Sequence, residues 1–200
     1  MFRAYKKRPK AKIFADTGVV CPSEACPNDP DLLLLRDAAA DERNAIAFYL
    51  EAARGSCIPQ LFLDVAEDEM GHYVDIMREI SRLDPVQADM FRDAGLNVLV
   101  TSRPAYVPKA KEEIVREAAS SDLQITLPSR KDMPTVILLS RAISDELLTI
   151  NKYQRYMQLA EDPAVQRLFC RIMNEEKEHV AQFTAALFEL THEPLPQDVV

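Results

Sequence analysis

Hydrophobic residues recur at steps of three and four along four long stretches of the chain, which is the spacing of one face of an α-helix. The pattern predicts helices over four segments: about Asp31 to Arg54, Pro59 to Leu83, Pro134 to Ala160, and Pro163 to Thr191. Aspartate followed by proline precedes the first and last segments, and this pair both caps and initiates a helix. Gly55 and Asp84-Pro85 are expected to end the first two helices.

The four predicted helices form two pairs, each with a short connection, so the members of a pair should be antiparallel neighbours. Residues 84–133 separate the pairs as a long crossover, with short helices expected near Val86–Ala94 and Lys109–Ser120. A crossover of this length lets the two middle helices run parallel. The expected organisation is an all-α four-helix bundle over 31–192, with an extended basic arm over 1–30 and a tail over 193–200.

Each predicted helix carries one glutamate in the middle of its apolar stripe, and two helices add a histidine three residues later. These residues are Glu42, Glu69, His72, Glu146, Glu176 and His179. Only three histidines occur in the chain, so two of the three follow a glutamate at this spacing. A Glu-x-x-His step places both side chains on one face of a helix, where they can converge on a single ion.

Four unpaired carboxylates in one core would be prohibitive, because removing each anion from water costs several kcal/mol. No lysine or arginine interrupts the four apolar stripes, so these faces offer no internal ion pair. Divalent metal neutralises such a cluster and uses the carboxylate oxygens as ligands. The six residues therefore predict a buried site for two metal ions, and the ligand types suit iron or manganese.

The two halves of the sequence match each other around these glutamates. Glu42 precedes Tyr49 by seven residues, and Glu146 precedes Tyr153 by the same number. Each tyrosine is interpreted as a core residue with a hydrogen-bonded hydroxyl, as a hydrogen-bond partner of a metal ligand, or as a redox-active phenol near the metals.

An aspartate directly precedes two of the glutamates, at Asp41 and Asp145. These aspartates could accept a hydrogen bond from the distal nitrogen of a ligand histidine and fix its tautomer. The alternative is that both are ordinary solvated acids on the outside of their helices.

The segment Glu42-Arg-Asn-Ala45-Ile-Ala-Phe48-Tyr49 resembles the first helix of rubrerythrin-type domains in the ferritin-like superfamily of dinuclear carboxylate proteins. Glu69-Met-Gly-His72 and Glu176-Lys-Glu-His179 resemble their metal-binding helices. This resemblance covers about half of the chain and implies a ferritin-like bundle with two metal ions. It further implies that Glu69 and Glu176 bridge the ions, that Glu42 and Glu146 are terminal ligands, and that each histidine binds one ion.

The chain departs from rubrerythrin in two respects. The third predicted helix has Thr149 where rubrerythrin has a second glutamate, three residues after the first. The rubredoxin module with its two Cys-x-x-Cys pairs is absent, and Cys21-x4-Cys26 does not replace it.

Other features resemble manganese catalases and related spore-coat proteins. These features are the basic and aromatic start Met1-Phe2-Arg3, the long crossover, the Glu69-Met-Gly-His72 step, and the segment from Glu146 to Tyr153. Manganese is therefore the alternative to iron.

The first resemblance implies an oxidoreductase that reacts with peroxide or dioxygen at a di-iron centre and takes electrons from an external donor. The second implies a manganese catalase, which needs no donor. Iron oxidation and sequestration without turnover, or a structural coat role, are the non-enzymatic alternatives.

Charge is unevenly distributed along the chain. Six of the 24 basic residues precede the first acid, Asp16, so 18 basic residues stand against 32 acidic ones in the remainder. The arm is expected to be a solvated tail or a strap across an acidic neighbouring subunit of a homo-oligomer. The alternative is a tether to nucleic acid or to an anionic membrane. The acidic remainder argues against nucleic-acid binding, and no apolar run is long enough to span a bilayer. A cytoplasmic protein without a membrane partner is expected.

Overall fold

The computed structural model describes residues 29–101 and 128–191, and within these ranges it contains helices and no strand. The helices are α1 (Pro30–Gly55), α2 (Pro59–Leu83), α3 (Pro85–Asp93), a 3-10 turn (Asn97–Leu99), α4 (Met133–Leu159) and α5 (Pro163–Thr191). The four long helices confirm the predicted segments to within one residue at each end. The predicted helix near Val86–Ala94 corresponds to α3, whereas the one near Lys109–Ser120, most of the basic arm and the C-terminal tail lie outside the described residues.

Aspartate caps fix where three of the helices begin. A side-chain oxygen of Asp29 accepts a hydrogen bond from the backbone N–H of Asp31 at 2.9 Å, and Asp162 accepts one from Ala164 at 2.7 Å. Asp84 separates α2 from α3 and caps α3 through the N–H of Gln87 at 3.0 Å. In each case proline occupies the first helical position, where its missing N–H leaves no hydrogen bond unmade.

Two close helix pairs, α1 with α2 and α4 with α5, make up the bundle. Hydrogen bonds between the pairs join Tyr49 to Glu146 and Tyr153 to Glu42, so residue numbers rise along α1 as they fall along α4. Helix α1 is therefore antiparallel to both α2 and α4. It follows that α2 and α4 run in the same direction.

Two apolar clusters fill the ends of the bundle. The Leu35 cluster also contains Ile76, Ile80, Tyr153, Val165, Phe169 and Ile172. The Phe62 cluster also contains Tyr49, Val65, Leu139, Ala142 and Phe183. On every long helix the predicted metal ligands lie between the residues of these two clusters, so a polar layer divides the core at mid-height.

Outside that layer, the carboxylate of Asp31 is the most deeply buried among the described residues, at 1% exposed. Its two oxygens accept hydrogen bonds from the backbone N–H groups of Glu161 at 2.9 Å and Asp162 at 2.8 Å. Asp31 thereby ties the connection between α4 and α5 to the beginning of α1.

In the part of the chain that the structure describes, none of the helices combines the length and the apolar character of a membrane span.

Candidate metal centre

The six predicted ligands lie together in the polar layer, and each of them is at most 3% exposed. They form two groups of four in which one oxygen or nitrogen atom from each residue lies within 4.8 Å of the others. One group is Glu42, Glu69, His72 and Glu176, and the other is Glu69, Glu146, Glu176 and His179. Glu69 and Glu176 belong to both groups. The fold therefore brings together buried Glu and His side chains that could hold a metal ion.

His72 directs its Nδ1 atom into the first group. This nitrogen lies 3.0 Å from Oε2 of Glu69, 3.4 Å from Oε1 of Glu176 and 3.7 Å from Oε2 of Glu42. The Glu-x-x-His step of α2 brings its own glutamate closest, because residues three apart lie on the same helical face. The other two carboxylates come from α5 and α1.

His179 repeats this arrangement from α5. Its Nδ1 atom lies 2.9 Å from Oε2 of Glu176, 3.5 Å from Oε1 of Glu69 and 3.5 Å from Oε1 of Glu146. The two imidazole ring centres are 6.0 Å apart. Each ring thus presents one nitrogen to three carboxylates, with the shared glutamates between the rings.

The pKa shifts of the buried acids and imidazoles indicate that the negative charge of the cluster exceeds its positive charge. Burial and the charge of Glu176 raise the pKa of Glu69 well above its usual range, and they raise the pKa of Glu146 to about 7. Burial opposes the charged form of His72 and His179, yet the surrounding carboxylates outweigh it and raise both pKa values well above normal. Acids that hold protons beside imidazoles that gain them indicate an excess of negative charge.

Glu176 is the most deeply buried of the predicted ligands, with 0% of its surface exposed. Among the described residues its Oε1 atom has no hydrogen-bond donor, although Nδ1 of His72 lies 3.4 Å away. A buried carboxylate oxygen without a donor carries a large desolvation cost. Four carboxylates and two imidazoles around this oxygen are hard and intermediate ligands of the kind that iron and manganese take, so the donor set fits such ions.

Tyr49 and Tyr153 are each 2% exposed and belong to the two apolar clusters. The hydroxyl of Tyr49 donates to Oε1 of Glu146, and that of Tyr153 donates to Oε1 of Glu42. Each tyrosine therefore packs in the core and also contacts a predicted ligand. The ligand belongs to the opposite half of the bundle.

Asp41 and Asp145 do not lie beside the distal histidine nitrogens; of the two alternatives, the structure agrees with acids on the outside of their helices. Asp41 pairs with Nζ of Lys152, and Oδ2 of Asp145 lies 3.4 Å from Nε of Arg141, at the outer groove between α1 and α4. The distal Nε2 atoms point the other way, into the interface of α2 and α5. The rotation of α1 and α4 about their axes directs both aspartates away from the imidazoles.

The residues that do meet the distal nitrogens are Glu175 and Asp68. Nε2 of His72 lies 2.7 Å from Oε2 of Glu175, and Nε2 of His179 lies 3.5 Å from Oδ2 of Asp68. Our reading of the sequence missed both residues. A signal existed, since an acid directly precedes the glutamate of each Glu-x-x-His step.

A cavity of about 300 Å³ opens between α1 and α4 and reaches the polar layer. Its floor contains the four predicted glutamate ligands, and its wall includes Ala45, Phe48, Thr149 and Lys152. Leu148 at its margin is 65% exposed, so the cavity reaches the surface. A small molecule can therefore approach the carboxylates from this side.

Comparisons with protein-family models, curated proteins and solved structures find no match to this chain.

Proposed function

We propose that this chain is a ferritin-like dinuclear metal oxidoreductase that reacts with peroxide or dioxygen. The supporting observation is that two four-residue groups share Glu69 and Glu176, which suits two ions a few ångströms apart. Glu42 and His72 would complete one position, and Glu146 and His179 the other. A pair of redox-active ions held this closely can supply two electrons to one oxidant.

Iron is the metal we propose, with manganese as the alternative, because carboxylate and imidazole ligands accept both. Reduction of hydrogen peroxide takes up two electrons and two protons and yields two molecules of water. With iron, the electrons come from an external donor.

The cavity between α1 and α4 favours a small oxidant. Its volume of about 300 Å³ admits peroxide or dioxygen with several waters, and its floor is the set of glutamates. Tyr49 lines it, and burial together with the charges of Glu146 and Glu69 raises the pKa of this phenol far above its usual value. The phenol therefore keeps its proton and holds Glu146 in place.

The test begins with full-length protein freed of metal and then loaded with Fe(II) or Mn(II). Elemental analysis after removal of excess metal should give two ions per chain. Peroxide consumption with a reductant present should exceed that of the same amount of free metal. Fewer than two bound ions, or consumption no faster than free metal, would overturn the proposal.

Glu176→Gln and Glu178→Gln form a matched pair of variants for this experiment. Both remove one carboxylate from α5, but Glu176 is buried in both ligand groups whereas Glu178 is exposed. Glu176→Gln should lose metal and turnover, and Glu178→Gln should keep both. Equal loss in the two variants would point to a general effect of charge instead of a ligand role.

Thr149 favours a second candidate, a manganese catalase. This residue lines the cavity at the position where the rubrerythrin resemblance calls for another glutamate. In a catalase, one peroxide is oxidised to dioxygen while another is reduced to water, so no donor is required. Rapid oxygen evolution from peroxide alone, with manganese in the purified protein, would favour this candidate over the iron enzyme. Iron uptake well beyond two ions per chain would favour sequestration.

A further inference from the structure

The two halves of the metal centre differ at the distal nitrogens of their histidines. Adding 107 to a residue number in α2 gives its counterpart in α5, so that His72 matches His179 and Asp68 matches Glu175. Each acid contacts the histidine of the other helix. The distance is 2.7 Å from His72 to Glu175, an ordinary charge-assisted hydrogen bond, and 3.5 Å from His179 to Asp68.

Glu175 is itself held in position by Arg171. The Nη1 atom of Arg171 lies 3.3 Å and 3.2 Å from the two oxygens of Glu175, and its Nη2 atom lies 2.7 Å from Oδ2 of Asp75. Asp75 also accepts a hydrogen bond from Arg78 at 2.8 Å. These charged groups alternate in sign from His72 to the outer surface of α2 and α5. Glu175 and Asp75 together match the charges of Arg171 and Arg78, so this set adds no net positive charge beside His72.

The other half contains different residues at the matching positions. Asp64 occupies the place of Arg171, and its Oδ1 atom accepts a hydrogen bond from Gln60 at 2.8 Å. Gln182 occupies the place of Asp75. The duplicated pattern therefore extends to the two acids beside the histidines but not to the charged groups that hold Glu175 in position.

We infer that the two metal positions bind with unequal affinity, and that Glu175 is the positioning residue that makes the His72 position the tighter one. This inference rests on the proposed function, which assigns two ions to the site. A carboxylate at hydrogen-bond distance from Nε2 fixes the ring orientation, leaves Nδ1 free for metal and raises its basicity. Such outer partners are commonly worth about 10- to 100-fold in metal affinity. The ions therefore bind in order, the first at the group that contains His72.

Calorimetric titration of metal-free, full-length protein with Mn(II) at pH 7 tests the order. We expect two steps of one ion each, with the first tighter by about tenfold or more. Glu175→Gln should weaken the first step, and Asp68→Asn should weaken the second step while it leaves the first intact. Arg171→Gln keeps Glu175 but removes its support, so it should weaken the first step to a smaller extent. Glu178→Gln, an exposed change on the same helix, should alter neither.

Nuclear magnetic resonance of the histidine ring nitrogens gives a second readout that a general loss of stability would not move. With one equivalent of Zn(II), the signals of His72 should shift and those of His179 should stay; with two equivalents both should shift. In Glu175→Gln the single equivalent should divide between the two rings. If the two ions bind with equal affinity, or if the signals of both rings shift together in the unaltered protein, the two positions do not differ in affinity. The proposed site for two ions would then still hold. Fewer than two bound ions would overturn both.

Discussion

Tyr49 on α1 donates its hydroxyl hydrogen bond to Glu146 on α4, and not to Glu42 seven residues earlier on its own helix. Tyr153 on α4 makes the reciprocal bond to Glu42. Burial and the surrounding carboxylates raise both phenol pKa values far above normal, so the hydroxyls remain donors. The two bonds join the helix pairs to each other directly at the candidate metal centre, and each half of the protein orients a predicted ligand of the other.

Removal of one hydroxyl should weaken this junction. Tyr153→Phe leaves an oxygen of Glu42 without its donor, and the expected loss is about 1–3 kcal/mol in the free energy of unfolding of the metal-free protein. Urea unfolding measures it. Tyr156→Phe is the matched control, because its hydroxyl donates to Asp37 outside the ligand groups. Tyr153→Phe should also reduce metal affinity, and Tyr156→Phe should not. Equal effects of the two variants on metal affinity would show that the Tyr153 hydroxyl does not orient Glu42 for metal binding.

Metal-free protein should become less stable as the pH rises from 5.5 to 8. Burial raises the pKa of Glu146 to about 7 and that of Glu69 well above normal, so the folded state holds more protons than the unfolded state. Their stabilising effect is complete below the unfolded pKa and is lost as the pH rises through the folded pKa. The raised pKa values of His72 and His179 act in the same direction. The lowered pKa of Glu176 matters only at more acidic pH.

Glu146 alone should contribute about 2 kcal/mol to this change, which corresponds to roughly 4–8 °C in the melting temperature of a chain of this size. Thermal unfolding of chelator-treated protein at the two pH values measures it. A melting temperature that is unchanged or higher at pH 8 would refute the protonation pattern.

Metal loading should reverse that trend and release protons. The ligands must give up the protons that burial and mutual repulsion hold on Glu69, Glu146 and the two imidazoles. A pH-stat titration with Mn(II) near pH 6.5 should therefore consume base, and metal affinity should rise with pH. Titration without proton uptake or release would show that the cluster binds metal in a different protonation state.

A larger side chain in the α1–α4 cavity should slow the reaction with peroxide. Ala45 lines this cavity and is partly buried, whereas Ala47 on the same helix is exposed. We expect Ala45→Leu to lower kcat/KM for peroxide several-fold with two metal ions still bound. Ala47→Leu should leave kcat/KM unchanged. If both variants retain full activity, peroxide reaches the centre by another route.

Asp31 should be important for stability but not for metal binding. Asp31→Ala leaves two backbone N–H groups without their acceptor, and the expected cost is about 2–4 kcal/mol. Asp29→Ala removes only the helix cap and should cost about 1 kcal/mol. Chemical unfolding measures both, and elemental analysis should still give the full metal content. Similar small losses in both variants would contradict the role assigned to Asp31.

Local chemistry made the long helices predictable. Proline with a preceding aspartate, as at Asp162-Pro163, favours a helix start through contacts within a few residues of the chain. The apolar stripe then determines which face is buried, and the only acids and histidines in the middle of those stripes become neighbours in the core. Glu69 and His72 could be assigned to one group because residues three apart share a helical face.

Contacts between helices were harder to predict from the sequence, because they depend on the rotation of each helix about its axis and on its offset along that axis relative to its neighbours. Those two quantities decide that Tyr49 meets Glu146 and that Asp41 meets Lys152 instead of a histidine. Sequence spacing does not contain them. The role of Glu175 was missed for the same reason, although its position before Glu176 repeats that of Asp68 before Glu69.

The polar layer between the Leu35 and Phe62 clusters has a consequence for the protein in the cell. The bundle has two separate apolar cores with a cluster of buried acids between them, and under the proposed function, metal that binds only the folded state would stabilise it by mass action. Chains that unfold more often are degraded more often. If the proposed function holds, the protein would therefore be cleared faster under metal starvation at an unchanged rate of synthesis, and its abundance would follow the supply of the metal.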